Sequence, residues 1–462
     1  MTMLAQFLQK SGWEVSGSDI VDTFLTDKVL AGAGIKVFTP FAVGNLPAQT
    51  DLIVFSSAYN SENNPELRFI SNNSKHFKNV KILNYAAALG EVFNRYQGVA
   101  VCGSHGKTTT AAWLGYVLKQ AGLNPNVLVG SRVPQFKGSS LQGGSHYLVA
   151  EADEYQNKLR YFRPRGVVLN NIDYDHPDWF ANLTAYRRVF KDFIKRLPAK
   201  GFLVYNADDA ETTKIIRFCP AKLISYRLVS GDFGSGADYL AYDLKNQGTY
   251  QVFKVSYQGQ DLGEFKIGLW GRHNVLNALA VIATAHRLKV SWFDIKKYLR
   301  IFKGTERRAQ VLGQYRGATI IDDYAHHPTE IQATLQALRN HFSDQKLIAV
   351  FHPHTFTRTK ALLADFARSF LLADELVVLD IYASAREKQG GISSRDLVTA
   401  IKEFNKEQKC HQIVRYLPTF SKVLTYLESH LNKKDVLVLL GAGDVFRVGQ
   451  RLLSKNNRHI KK

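Results

Sequence analysis

"VCGSHGKTTTAAWLGYVLKQAG", residues 101–122, is the stretch whose reading decides the fold of this 462-residue chain. "GVAV" at its left edge has the length and apolarity of a short buried strand. To the right, Leu114, Val117 and Leu118 mark one apolar face at helical spacing. A strand, a glycine turn and a helix in that order aim backbone N–H groups and the positive helix end at an anion. Gly103, Ser104, His105, Gly106, Lys107, Thr108 and Thr109 therefore read as a phosphate loop. Lys107 would reach terminal phosphates and Thr108 would offer its hydroxyl to Mg²⁺. The loop is compressed: only Ser104 and His105 separate its glycines, where the standard P-loop has a longer spacer.

Outward from the loop, strand-length apolar runs alternate with helical stretches, the pattern of parallel sheets covered on both faces. "EVSGSD", "IKVF", "LIVFSSA" and "VKILNY" are the strand candidates before residue 95. "YLVAEADE" and "GVVLNNID" come in the middle third, then "ATIIDDYA", "KLIAVFHPH", "ELVVLDIY" and "DVLVLLGAG". Residues 226–268 differ, and alternation such as "YQVFKVSY" predicts an antiparallel patch within the middle unit. The expected class is α/β, and length suggests about three domains of ~150 residues.

Composition excludes several alternatives. No apolar run reaches the roughly 18 residues of a membrane span, and no secretory layout opens the chain. Cys102, Cys219 and Cys410 are too scattered for a disulfide framework or a zinc ribbon, which points to a reducing cytoplasm. The net charge of +20 suits an anionic ligand. Apart from the tail "SKNNRHIKK" the cations are dispersed among acids, and no nucleic-acid module converts charge into readout.

Two further positions extend the loop's chemistry. Glu151 in "LVAEADEY" lies just past a strand end, where ligands bind in open parallel sheets. His176 in "NNIDYDHPDWF" lies beyond the next strand. With Thr108, these residues would complete one or two magnesium sites facing the phosphates.

Together, "GSHGKTTT", "EADE", "NNIDYDHPD" and "GRHNVLNALA" resemble the Mur ligases, the ATP-dependent amide-forming enzymes of peptidoglycan synthesis. "FKGTERRAQ", "IIDDYAHHPTE", "FHPHTFTRTK", "DIYASARE" and "LLGAGDV" extend the resemblance to nearly the whole chain. The short loop is that family's form. The resemblance implies a Rossmann-like UDP-sugar domain (1–95), a central ATP-binding domain (96–303) and a Rossmann-like amino-acid domain (304–462). It also implies ATP and Mg²⁺ as cofactors, and the branch that joins L-alanine to UDP-N-acetylmuramate through an acyl phosphate.

Residue by residue, the resemblance puts Lys107 on the ATP phosphates and Thr108, Glu151 and His176 on Mg²⁺. His273, Asn274 and Asn277 would line the adenine side, Arg308 the γ-phosphate and Asp323 the ribose. Lys107, His176 and Arg308 form the implied catalytic set. Ser18, Asp19 and Ser57 fit the UDP-sugar face, with His105 and His327 close to the substrates. His354 and Arg358 would hold the amino acid, whose carboxylate suits a guanidinium fork. A zinc site on His326, His327, His352 and His354 is a rival reading; Pro328 and Pro353 fit the family's loops instead.

One departure stands out. Relatives of this type begin with a strand and a glycine-rich loop, whereas this chain opens at "MTMLAQFLQKSGWEVSGSD", with Met3, Leu4, Phe7 and Leu8 at helical spacing. The expectation is a first domain without its central first strand, the true start lying upstream. Two other functions fit less of the sequence: a recycling ligase that adds a tripeptide to the same nucleotide sugar, and a non-catalytic ATP-binding protein associated with nucleic acid.

Overall fold

A computed structural model describes residues 1–22, 25–229, 236–383, 387 and 390–459. The middle of "DIYASARE" (384–386) lies outside the described residues. The dominant element is a ten-stranded sheet. From one edge its order is Gln260–Ile267, Tyr250–Tyr257, Tyr239–Gln247, Lys222–Leu228, Phe202–Asn206, Gly166–Leu169, Gln97–Cys102, Tyr147–Glu151, Asn126–Val133 and Gly138–Leu141. The strand leading into the phosphate loop, Gln97–Cys102, is thus flanked in parallel by Tyr147–Glu151 and Gly166–Leu169. All three end on the same side, so the segments leaving the two flanking strands border the loop.

The predicted antiparallel patch is present as the three strands from Tyr239 to Ile267, whose first member pairs in parallel with Lys222–Leu228. This patch carries the sheet past its parallel part.

The helix Lys107–Gln120 corrects the expectation of a single apolar face. Thr108 through Leu118 are all buried. The sheet covers one side, the helix Arg272–Arg287 packs on the other, and Trp113 stacks on Phe302 with centroids 5.3 Å apart. A helix enclosed all round needs no polar face, so a stripe drawn from Leu114, Val117 and Leu118 undercounts it.

Before the large sheet, the helix Thr2–Lys10 buries Met3, Leu4 and Phe7 in a core shared with Phe93, Leu128 and Leu148. Gln6 accepts a hydrogen bond from the Ser139 amide at 3.2 Å, which ties this helix to the edge of the central sheet. Two parallel pairs come next, Ser16–Ser18 with Lys36–Phe38 and Leu52–Phe55 with Lys81–Asn84. The pairs belong to separate sheets, and among the described residues no strand joins them.

The last unit is a six-stranded sheet in the order Gln310–Tyr315, Ala318–Asp323, Val436–Leu440, Leu347–Phe351, Glu375–Val378 and Ile413–Tyr416. Its first strand is antiparallel and the rest are parallel. The helix Pro328–His341 comes after Ala318–Asp323 and the helix Phe356–Ala361 after Leu347–Phe351. Each is capped by the residue before it, His327 and Thr355. Both starts meet the central unit at residues 173–175, which places the second half of the site.

Candidate active site

The loop takes its shape from two glycines and their neighbours. Gly103 (φ +128°) and Gly106 (φ +79°) have backbone that other residues rarely adopt. A Cβ on Gly106 would fall 2.5 Å from Asn277 Oδ1, and one on Gly103 would fall 2.9 Å from the Asn171 carbonyl. The adjacent strand end clamps the residues between them. The Ser104 amide donates to the Asn171 carbonyl (3.1 Å), the His105 amide to Asn171 Oδ1 (2.9 Å), and Ser104 Oγ to the Asp173 carbonyl (2.7 Å).

Lys107 folds back over this loop. Its ammonium donates to the Gly103 and Ser104 carbonyls at 2.6 and 2.9 Å and pairs with Glu154 Oε2 at 2.9 Å. Glu154 is buried, and its other oxygen takes the Tyr186 hydroxyl at 2.9 Å. Burial lowers the Lys107 pKa, but Glu154 and then Asp153 more than reverse that, so the amine stays charged.

Thr108 and Glu151 meet as expected, Thr108 Oγ1 donating to Glu151 Oε1 at 2.9 Å, while Glu151 Oε2 accepts the Gly130 amide at 2.7 Å. His176 has φ +59°, and its Nε2 is 3.7 Å from Glu154 Oε1. Asp153, Glu154 and His176 bring one ligand atom each to within 4.8 Å of one another. A hydroxyl and carboxylate oxygens fit a hard divalent cation. His176 therefore groups with Glu154 and Asp153, while Thr108 and Glu151 form the neighbouring pair.

On the expected adenine side, Asn277 accepts from Thr110 Oγ1 (3.2 Å) and donates to Asn274 Oδ1 (3.1 Å). Asn274 Nδ2 donates to the Trp270 carbonyl (2.7 Å) and lies 3.1 Å from His273 Nε2. Burial, then the Arg308 charge, pushes His273 down to about 4, so it is neutral near pH 7.

The C-terminal unit adds cations and imidazoles. Arg308 is 3.7 Å from Glu330 and lies over the Tyr324 ring. Asp323 directs both oxygens to backbone, accepting the Ala309 and Ala325 amides at 2.7 Å each. His105 reaches across the units, with Nε2 2.9 Å from Asp173 and Nδ1 3.2 Å from Glu330. His327 approaches the Tyr174 carbonyl at 3.1 Å and packs beside the His105 ring. Arg358 holds Asp175 at 2.9 Å, and its Nη1 lies 3.2 Å from His354 Nδ1. Burial pushes the Asp175 carboxyl up, but the Arg358 charge overcomes that and holds it well below the usual carboxylate range.

Thus the loop residues, Glu151, His176, Asn274, Asn277, Arg308, His327, His354 and Arg358 all border the junction of the two larger sheets. Ser18, Asp19 and Ser57 lie instead at strand ends of the N-terminal pairs, where Asp19 Oδ1 caps the Ile20 amide at 2.8 Å and Ser57 is exposed. The four histidines of the zinc alternative do not converge among the described residues. His352 packs on Tyr382 and Phe420, and His327 is committed to Tyr174.

The sequence reading missed the anions that hold these cations: Glu154, Asp173, Asp175 and Glu330. Three sit one to three residues from positions it did select, in "EADE" and "NNIDYDH", and the fourth ends "AHHPTE". Their adjacency was a usable signal, but which cation each carboxylate meets depends on contacts across 47 to 225 residues.

Three family models match in succession: Mur ligase family, catalytic domain, over residues 1–97; Mur ligase middle domain over 101–285; and Mur ligase, glutamate ligase domain, over 307–443. The chain is 36% identical over 459 residues to the UDP-N-acetylmuramate–L-alanine ligase of Caldanaerobacter subterraneus subsp. tengcongensis, covering 99% of this chain and 96% of that protein. It is 35% identical over 457 residues to the ligase of the same name from Alkaliphilus metalliredigens, covering 98% and 95%. Among solved structures, the UDP-N-acetylmuramate-alanine ligase of Thermotoga maritima superposes with a TM-score of 0.81 at 25% identity, covering 99% and 97%. A murein peptide ligase from Psychrobacter arcticus shares the fold with a TM-score of 0.72 at 24% identity, covering 98% and 96%.

Proposed function

This chain belongs to the Mur ligase family, and from that premise we propose that it joins L-alanine to UDP-N-acetylmuramate with hydrolysis of ATP to ADP and phosphate. The observation that carries the reading is the meeting of a phosphate loop and a carboxylate-binding arginine at one junction. Lys107 and Arg358 approach it from different units, joined through the 173–175 segment. The relatives matched over nearly their whole length carry the alanine-adding name, which favours L-alanine over a tripeptide as the acceptor.

The nucleotide's phosphates lie over residues 103–109, with adenine toward His273, Asn274 and Asn277 and ribose toward Asp323. Lys107 and Arg308 neutralise the phosphoryl group as the lactyl carboxylate attacks it, since two anions do not otherwise approach. An acyl phosphate forms as ADP leaves. The amine of L-alanine, its carboxylate fixed by Arg358 and His354, then attacks the carbonyl and expels phosphate. Thr108, Glu151 and His176 are the residues assigned to Mg²⁺, which supplies Lewis-acid charge to the phosphates when bound. Ser18, Asp19, Ser57, His105 and His327 are assigned to the sugar nucleotide.

We divide the chain at residues 95 and 303 into sugar-nucleotide, ATP and amino-acid domains, in line with the three family matches. Free cysteines and these substrates support a cytoplasmic setting. No helix of the described residues is long and apolar enough to cross a membrane. The test is phosphate release from Mg²⁺-ATP: it should require both UDP-N-acetylmuramate and L-alanine. Release with the sugar nucleotide and a tripeptide, but not with L-alanine, would reassign the acceptor.

A further inference from the structure

The guanidinium assigned to the substrate carboxylate already holds an anion. Arg358 is 4% exposed and Asp175 is 6% exposed, so the two charges neutralise each other in a nearly dry interface between units. The pairing is lopsided. Asp175 Oδ1 accepts Arg358 Nε and Nη2, each at 2.9 Å, and also the His176 amide at 2.6 Å. Oδ2 takes neither arm of the fork and lies 3.8 Å from His176 Nε2. One oxygen therefore takes both arms of the fork, and a carboxylate that met the fork with both oxygens would bind it better.

Nη1 lies outside this pairing and is held by His354, 3.2 Å from Nδ1 and 3.4 Å from the carbonyl. The guanidinium thus keeps an anchor while its anion is exchanged. Without a partner, a buried arginine would be costly, because removing one member of a buried pair leaves a charge stripped of water. An internal carboxylate meets that need when no amino acid is present.

We propose that Asp175 occupies the amino-acid carboxylate position of the empty enzyme and is displaced from Arg358 when the amino acid enters. This deepens the ligase reading and rests on it. Amino-acid binding then exchanges one anion for another. The enzyme selects carboxylates over bare amines, and apparent affinity is weaker than the fork alone would give.

The test is Asp175→Asn, which keeps shape and a hydrogen-bond acceptor but removes the competing charge. With ATP and UDP-N-acetylmuramate saturating, the KM for L-alanine should fall roughly tenfold, as expected when a charge-assisted bond no longer competes. Inhibition by propionate, the carboxylate without the amine, should tighten in step, while inhibition by ethylamine should not move. A raised KM would show that Asp175 orients Arg358 rather than competing for it, and an unchanged KM would show no exchange; either overturns the proposal. A second measurement uses the wild type and needs no folded variant. Exchange of the His176 amide hydrogen, held by Asp175, should be faster with saturating L-alanine than with ethylamine under the same nucleotides; equal rates overturn the proposal. If wild-type phosphate release does not depend on L-alanine at all, the ligase reading fails first, and that failure is distinct from either result on Asp175.

Discussion

His105 permits a prediction whose size is set by its contacts. Both ring nitrogens face carboxylates, Asp173 at 2.9 Å and Glu330 at 3.2 Å, and two acceptors require an imidazolium with both protons. Burial pulls its pKa down, but the hydrogen bonds and charges of Asp173 and Glu330 outweigh that and raise it from 6.5 to about 9. A rise of about 2.5 units corresponds to about 3 kcal/mol of stabilisation of the folded, docked form. The folded pKa is the higher one, so this contribution is complete below pH 6.5 and is lost as pH rises through about 9. Denaturant unfolding of nucleotide-free wild type and His105→Gln should be compared across that window. The wild-type advantage should shrink by about 1.4 kcal/mol per pH unit, the slope for one proton held only by the folded state. Glu330→Gln should flatten the wild-type slope. Parallel pH profiles for wild type and His105→Gln would refute the charged clamp.

Three other outcomes are expected. Lys107→Ala should lower phosphate release at least ~100-fold. Because it strands the buried Glu154, it should also lower the melting temperature, and adding Glu154→Gln should restore melting but not turnover. Gly106→Ala should disorder the loop and destabilise the chain by about 1–3 kcal/mol, since its φ is +79° and the new methyl meets Asn277 Oδ1 at 2.5 Å; an unchanged melting curve would contradict this. Glu151→Gln should raise the Mg²⁺ concentration needed for half-maximal turnover, with L-alanine dependence little altered, and an unchanged Mg²⁺ titration would remove Glu151 from the cation site.

Much of the site was legible because its residues lie where strands end. Glu151 and His176 could be paired with the loop from strand order alone, since parallel neighbours of a phosphate-loop strand deliver their ends to the same side. The arrangement of charges was not. Strand ends suggested one or two magnesium sites on Thr108, Glu151 and His176, without saying which residues group together. In the structure Thr108 pairs with Glu151, and the His176 ring lies beside Glu154, which also holds Lys107. Asp323, read as a ribose ligand by resemblance, directs both carboxylate oxygens to amides of its own unit.

By itself the sequence determined the α/β class, the phosphate loop and its lysine, and the family. Those are local properties: hydrophobic period, glycines where the backbone turns left, and cations beside them. Only the tertiary structure decided that the helix after the loop is enclosed on all sides, that the first helix docks on the central sheet, and that Asp175 and Glu330 bind cations from another unit. A carboxylate next to a motif has the same local signature whether it faces water, metal or arginine. Its partner is set by which strand ends the folded sheets bring together, and by the cost of leaving a charge buried without one.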